Sequence, residues 1–277
     1  MQKIYPKTCE NLNGEVFLRE YIKKYKGVEI QYFHKNKYKL EDFVMKPTIE
    51  KIMKITPEIE EITVHPPLDE YNIEQIILAD KNLLFKLLND MLELSEKYKI
   101  KINMILHSDL NYSGHVRFTL DVLKEAAKVL KGSNVKLLLE NLFMFYDNAP
   151  CAVLDVCKEI DSENVKVCID ICHLYCRANM LKMPIEEFLK NFLNKELCEK
   201  YVHQIHFADT KNNDGYIEKS THGRAYDSIE KIKYDLNLLK QYGMENKLII
   251  TEISEDDYSK RKEQIKNIKF LEEIYNQ

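Results

Sequence analysis

Residues that break regular structure are scarce in this sequence. Its 277 residues include 7 glycines and 7 prolines, together about 5% of the chain where roughly 12% is usual. This scarcity excludes a flexible linker, a collagen-like tract and a glycine-rich phosphate-binding loop. Hydrophobic residues make up 45% and charged residues 31% of the chain, as in an ordinary globular enzyme. We therefore expect one compact domain over residues 1–277.

Several other features are also missing. No run of about 18 apolar residues is present, so we expect no membrane span. The first ten residues have Lys3 and Lys7 but no apolar core, unlike a secretory signal. The 7 cysteines lack the spacing of a small disulfide scaffold and favour a reducing cytoplasm. A net charge of -4 argues against a protein whose whole surface binds nucleic acid, although a local basic groove stays compatible with it.

Short β-branched runs alternate with longer segments of helical periodicity. The predicted strands cover residues 3–9, 27–33, 60–65, 101–107, 135–141, 165–171, 202–208 and 248–253. Amphipathic helices are predicted at 73–99, 116–131, 185–201 and 226–242, and a last one at about 257–275. The mean step between strand ends is about 35 residues, which matches a strand–helix unit. Eight such units predict a (β/α)8 barrel. An open doubly wound sheet is less favoured because no glycine-rich fingerprint follows the first strand.

Polar side chains end six consecutive predicted strands, and strand ends of this kind carry the functional residues of such barrels. In chain order they are His65, His107, Glu140, Asp170 with His173, His206 with Asp209, and Glu252. His222 lies in the loop after the seventh strand, so five of the 8 histidines lie at or just beyond one rim. Taken alone, a histidine at a strand end is more often a hydrogen-bonded structural residue than a ligand, and a carboxylate there is often a helix cap or part of a salt bridge. Together they indicate one shared site.

Burying several carboxylates side by side is costly unless a cation neutralises them. We therefore predict a divalent metal ion bound by Glu140, Asp170, His206 and Glu252. Mostly oxygen donors with one nitrogen suit a single Mn²⁺, Mg²⁺ or Co²⁺ ion. If His65 and His107 are ligands too, the preference shifts to Zn²⁺ and to two or three ions.

Three further features have plainer interpretations. Cys168, Cys172 and Cys176 lack the two-residue gaps of cysteine metal sites, so we expect buried or incidental thiols. His203 precedes His206 by three residues and is expected on the opposite strand face, outside the barrel. The basic segment 34–39 contains a tyrosine and suits a phosphate backbone, but a solvated loop is the favoured interpretation.

These residues resemble the xylose isomerase-like TIM barrel superfamily over residues 3–275. The resemblance depends on the motifs VCIDICH at 167–173 and HFADTK at 206–211, together with Glu140 and Glu252 at the ends of the fifth and eighth strands. That superfamily includes sugar isomerases and epimerases of the tagatose-3-epimerase type. It also includes the endonuclease IV family of apurinic-site nucleases.

Some residues point to the nuclease branch. His65 and His107 match the extra zinc ligands of endonuclease IV, and the spelling of 168–173 and 209–211 is also similar to that family. The match fails where the nucleases have Asp-x-His followed by Gly-Glu-Gly. Ser220 occupies the aspartate position before His222, and no such turn follows. The Gly-Gly turn that the nucleases have after the first strand is also missing near 11–14.

Other residues point to the isomerases. The segment 27–30, Gly-Val-Glu-Ile, is similar to their second strand, although Asn212 replaces the substrate-binding arginine of the tagatose epimerases. The resemblance implies, as the preferred function, a metal-dependent isomerase or epimerase of a small-molecule sugar or sugar phosphate. The metal would stabilise an enediolate while Glu140 and Glu252 move the proton between two carbons. Additional metal or substrate contacts would come from His65, His107, His173, His222, Asp209 and Arg224.

The alternative is an endonuclease IV-like, zinc-dependent phosphodiesterase that cleaves DNA at apurinic or apyrimidinic sites. In that function the same carboxylates bind two or three zinc ions, and His65 and His107 become ligands. Nucleic acid is a partner only under this alternative, and the oligomeric state is left open. A barrel that binds a metabolite without turnover has little support, because all four core ligands are present.

Overall fold

The computed structural model describes residues 2–9, 18–32, 45–66, 81–107, 116–141, 152–210, 223–254 and 260–276. Eight parallel strands are β1 (Ile4–Cys9), β2 (Gly27–Gln31), β3 (Glu61–His65), β4 (Lys101–His107), β5 (Val135–Glu140), β6 (Val165–Asp170), β7 (Val202–Phe207) and β8 (Leu248–Thr251). They pair in chain order, and β8 pairs with β1, so the sheet closes on itself. This confirms the predicted (β/α)8 barrel.

Helices of the described residues surround the barrel. A π-helical turn at Leu18–Ile22 leads into α1 (Lys23–Tyr25). The others are α2 (Met45–Ile55), α3 (Lys81–Tyr98), α4 (Val116–Leu130), α5 (Ala152–Ile160), α6 (Ile171–Met180), α7 (Ile185–Phe192), α8 (Lys195–Tyr201), α9 (Ile229–Gln241) and α10 (Lys262–Tyr275). No helix among the described residues has both the length and the apolar character needed to cross a membrane.

Alternate side chains of each strand lie in two different environments, the core between the barrel and the helices and the interior of the barrel. Successive side chains of a strand point to opposite faces. On β4, Ile102, Met104 and Leu106 belong to the large core between the barrel and the helices. Asn103 on the same strand instead hydrogen-bonds inside the barrel, to Thr63 of β3 at 3.2 Å. The outward residues therefore form the main core, and the inward ones are available to build a polar interior.

One predicted helix is in fact two. The segment 185–201 divides into α7 and α8 because Leu193 is extended and Asn194 starts a new helix. The side chain of Asn194 accepts a hydrogen bond from the backbone N–H of Leu197 at 3.1 Å, as an N-cap does. The prediction for β4 is exact, and most of the other predicted strands and helices run one to a few residues too long, at ends where assignments usually differ. The predicted stretches 73–80 and 257–259 lie outside the described residues.

The expected position of His203, outside the barrel, is wrong. Two consecutive residues of β6 pair with Val202 and Gln204 of β7, so His203 is the extra residue of a β-bulge. The bulge breaks the simple alternation from which its direction was predicted. Nε2 of His203 lies 3.2 Å from Oε1 of Glu61, on the far side of the barrel at its amino-terminal end. We call this end the base and the opposite end the rim.

The cysteines form no disulfide among the described residues. Cys9, Cys157, Cys168, Cys172, Cys176 and Cys198 are all buried thiols. The prediction of buried thiols at Cys168, Cys172 and Cys176 is therefore confirmed.

Candidate metal centre

The closed barrel brings the predicted rim residues together. Strand pairing places His107 beside Glu140, and Asp170 beside His206. Asp170 ends β6, and its Oδ1 caps α6 by accepting a hydrogen bond from the backbone N–H of His173 at 3.0 Å. The same turn therefore fixes a carboxylate and carries an imidazole at the rim.

A first group of possible ligands consists of Glu140, Asp170, His206 and Glu252, whose ligand atoms all lie within 4.8 Å of one another. Nδ1 of His206 lies 3.2 Å from Oε1 of Glu140 and 2.6 Å from Oε2 of Glu252. Three of the four residues are fully buried, and the Glu252 side chain is 13% exposed. We call this set the four-ligand group.

A second group consists of His65, His107 and Glu140, again within 4.8 Å of one another. Oε2 of Glu140 lies 3.2 Å from Nε2 of His107 and 3.5 Å from Nε2 of His65. We call this set the histidine group. Glu140 belongs to both groups, with Oε1 directed to the first and Oε2 to the second. A carboxylate placed in this way is suited to bridge two cations.

Hydrogen bonds to carbonyl groups define which nitrogen of two rings is available. Nδ1 of His65 lies 3.0 Å from the carbonyl oxygen of Pro66, and Nδ1 of His173 lies 2.6 Å from that of Asn141. Because a carbonyl oxygen only accepts, each Nδ1 must carry the hydrogen and each neutral ring presents an Nε2 lone pair. This arrangement is typical of imidazoles that bind metals.

The charges and unsatisfied atoms of the centre fit a divalent cation. Oε2 of Glu140 and Oε2 of Glu252 are buried, and neither receives a hydrogen bond of acceptable geometry within the described residues. Burial alone would raise the pKa of Glu140, but His107 and His206 hold it well below its usual value. Burial alone would lower the pKa of His206, but Cys168, Glu252 and the other carboxylates raise it well above. The carboxylates around His206 thus stabilise positive charge at this position, where the metal-free protein holds a proton.

Cys168 is also close to Glu140 and His206. Burial raises the pKa of its thiol to about 12, so it stays protonated at neutral pH. A protonated thiol is a poor ligand, which leaves the oxygen and imidazole donors as the ligand set.

The structure describes three of the other predicted site residues: His173, Asp209 and Arg224. His173 is buried, with Nε2 3.8 Å from Oδ2 of Asp170. Asp209 and Arg224 form a backbone bridge at the rim, and neither belongs to a group of possible ligands formed by the described residues. Burial raises the pKa of Asp209. His222, Ser220 and the segment 34–39 lie outside the described residues.

Sequence reasoning did not assign three residues that contact the centre. Lys7 on β1 contacts Glu252 directly, and Glu29 on β2 lies 2.9 Å from Nε2 of His206. Gln204 donates to Glu29 at 2.8 Å. All three are polar residues in the interior of strands, and their side chains point into the barrel. A polar residue at an inward position of a strand is the signal that identifies them, whereas attention to strand ends alone overlooks them.

Comparisons with known proteins agree with this fold. The sequence model of the family described as xylose isomerase-like TIM barrel matches residues 23–274. No curated protein matches the chain in sequence.

Solved structures resemble the chain over nearly its full length. A D-tagatose 3-epimerase-like protein is 21% identical, with 100% of this chain and 99% of that chain covered and a TM-score of 0.55. The IOLI protein with a bound zinc atom is 16% identical, with 99% and 96% covered and a TM-score of 0.60. Endonuclease IV from Thermus thermophilus is 14% identical, with 99% and 100% covered and a TM-score of 0.55. At these identities the likeness concerns the fold alone.

Proposed function

Starting from the finding that the chain belongs to the xylose isomerase-like TIM barrel family, we propose that it is a metal-dependent phosphoester hydrolase with two ions at the rim. The observation that supports this proposal is the position of Glu140 between the two groups of possible ligands. A single-ion isomerase has no use for the histidine group as ligands. A two-ion hydrolase needs both groups and a carboxylate shared between them.

The environment of Glu140 also favours a ligand over a base. Its side chain is 1% exposed, and its two oxygens face His65, His107 and His206. Within the part of the chain that the structure describes, these neighbours enclose both oxygens and leave neither exposed to a substrate C–H bond. We therefore assign it to binding cations, in place of the proton transfer that an isomerase would require of it.

The bound ions, His173 and Lys7 would each contribute to the reaction in a different way. Divalent ions bound in the two groups supply Lewis acidity toward phosphoester oxygens and acidify water. Nε2 of His173 presents a lone pair because Nδ1 donates to the carbonyl oxygen of Asn141, so it is suited to accept a proton at the rim. Lys7 holds Glu252 from below, which keeps that carboxylate directed toward His206.

A sugar isomerase or epimerase is the second candidate, and one observation favours it. The four-ligand group is complete without His65 or His107, and Glu252 is its most exposed member. With one ion in this group, Glu252 is the carboxylate best placed to move a proton between neighbouring carbons of a hydroxy-ketone.

Activity assays with matched variants separate the two functions. Purified protein is tested on abasic-site DNA and bis-p-nitrophenyl phosphate, and on ketoses and their phosphates. His107→Ala removes a residue of the histidine group, and His203→Ala removes a histidine at the base as the control. We expect phosphoester cleavage that His107→Ala lowers at least ~100-fold and His203→Ala leaves nearly unchanged. Ketose interconversion that survives His107→Ala would contradict the hydrolase and establish the second candidate.

A further inference from the structure

A buried carboxylate lies one layer below the metal centre, on the side of the base. Gln31 pairs with His65 at the rim, and Glu29 precedes Gln31 by two residues on the same strand face. Glu29 is fully buried. Its Oε2 lies 2.9 Å from Nε2 of His206 and accepts a hydrogen bond from Gln204 at 2.8 Å. Oε2 thus supports one of the possible metal ligands from beneath.

This contact defines how His206 faces the centre. Glu29 is ion-paired with Lys7, whose Nζ lies 3.3 Å from its Oε1, and an ionised carboxylate only accepts hydrogen bonds. In the metal-free protein both ring nitrogens of His206 face carboxylates; when a cation binds at Nδ1, the one hydrogen left on the ring is on Nε2, where Glu29 accepts it. Nδ1 presents its lone pair toward Glu140 and Glu252. The amide nitrogen of Gln204, which can only donate, also lies 3.2 Å from Nε2, so Glu29 is the acceptor that favours the hydrogen on Nε2.

Lys7 acts on a second ligand at the same time. Its Nζ contacts Oε1 of Glu252 as well as Glu29, and its side chain is 8% exposed. Because Oε1 of Glu252 is occupied by the ammonium group, Oε2 is the oxygen that faces His206. One buried ion pair thus touches two members of the four-ligand group from below.

We propose that Glu29, paired with Lys7, is a positioning residue of the metal centre: it fixes His206 as an Nδ1 ligand and, through Lys7, limits Glu252 to its Oε2 oxygen. This inference rests on the metal centre of the proposed function and is independent of the substrate. Carboxylates that hydrogen-bond a ligating imidazole typically change metal affinity about 10–100-fold when they are removed.

Three variants separate positioning from mere packing. Glu29→Gln keeps the size and an acceptor oxygen but removes the charge. Lys7→Met/Glu29→Leu removes both charges together, so neither Lys7 nor Glu29 is left buried without the other. Thr63→Val is the control, since Thr63 lies in the same layer and donates to Gln204 at 2.9 Å but contacts no predicted ligand among the described residues. Unfolding in urea is followed for each variant to establish that it folds.

Two readouts are used, both without substrate. Zinc affinity is measured by competition with a chromophoric chelator. The His206 tautomer is measured in the zinc-loaded protein by NMR of ¹⁵N-labelled imidazoles, assigned with His206→Asn. We expect the zinc affinity of the double variant to fall at least ~10-fold and its His206 to lose the Nε2–H tautomer. The zinc affinity of Glu29→Gln should fall about threefold or more. Thr63→Val stays close to the original protein in both readouts.

Either of two results would overturn the inference. One is zinc affinity in the double variant or in Glu29→Gln that equals that of Thr63→Val. The other is a His206 ring that binds zinc through Nε2 in the original protein. A chain that binds zinc as expected but cleaves no phosphoester would contradict the proposed function and leave this inference intact.

Discussion

The proposed two-ion centre depends most on Glu140, because both groups of possible ligands include this residue. Glu140→Gln replaces an anionic oxygen with an amide group that binds metals poorly. We expect loss of at least one ion and a fall in phosphoester cleavage of about 100-fold or more. The control is Glu61→Gln, the same substitution at a buried glutamate of the base. Metal content and rate are measured for both, and full metal content in Glu140→Gln would rule out its role as a ligand.

Gly223 supports the backbone of Glu252. It has φ of +72°, and a Cβ there would lie 2.9 Å from Oγ of Ser254 and 3.1 Å from the carbonyl oxygen of Glu252. Gly132 has φ of +77° with open space around it, so Gly132→Ala reproduces the conformational cost alone. We expect Gly132→Ala to lose about 1 kcal/mol of unfolding free energy and Gly223→Ala to lose more. Only Gly223→Ala should weaken zinc binding. Urea unfolding and chelator competition test this, and equal zinc affinity in the two variants would contradict it.

At the scale of the element, the strands at the base contain a buried ionic cluster distinct from the rim. Glu61 of β3 accepts hydrogen bonds from Asn103 at 3.0 Å and Tyr5 at 3.2 Å, and it is paired with His203. Burial alone would raise the pKa of Glu61, but His203 and Asn103 hold it at about 2. The carboxylate therefore stabilises the fold above its unfolded pKa of about 4.5, and the contribution is lost as pH falls toward 2.

This contribution is about 3 kcal/mol at neutral pH. We expect Glu61→Gln to be less stable than the original protein at about pH 7 and the difference to shrink as pH falls below about 4. The neighbouring exposed pair of Glu60 with Lys26 provides the control, since Glu60→Gln should change stability by less than about 1 kcal/mol. Urea unfolding between about pH 7 and pH 3, with chelator present, measures both. A constant difference for Glu61→Gln across that range would refute the assignment.

The sequence predicts the barrel strands, but it does not predict one helix division, one β-bulge and the role of Glu29. Alternating β-branched runs and their spacing predict the barrel and place six polar strand ends on one rim. The division at Asn194 was missed because a single capping residue interrupts an otherwise helical pattern. The direction of His203 was missed because a bulge depends on pairing between strands, which one strand's sequence does not contain. Glu29 was overlooked as a site residue because its importance comes from His206, which is distant in the chain.

At the scale of the whole molecule, the rim and the layer below it concentrate negative charge. The carboxylates of Glu29, Glu140, Asp170 and Glu252 are buried or nearly buried there, and Lys7 is ion-paired with two of them, Glu29 and Glu252. Divalent cations would offset this repulsion in the folded state alone. We expect zinc in excess to raise the melting temperature by roughly 10 °C over chelator-treated protein. Scanning calorimetry measures the shift, and no change would contradict a cation-binding centre.

The same stabilisation depends on pH. The neighbours of His206 raise its pKa well above the usual value, against the effect of burial, so the ring is protonated in the metal-free protein. Zinc must displace this proton. The stabilisation by zinc should therefore be smaller at about pH 6 than at about pH 8, and a larger effect at the lower pH would contradict the assignment of His206 as a ligand.

The number of ions per chain distinguishes a two-ion centre from a single-ion site. Elemental analysis of protein purified without chelator or added metal gives this number for the original chain, for His107→Ala and for the control His203→Ala. We expect at least two divalent ions in the original chain and in the control, and loss of one ion in His107→Ala. One ion in the original chain, unchanged by His107→Ala, would contradict the two-ion centre and the hydrolase built on it.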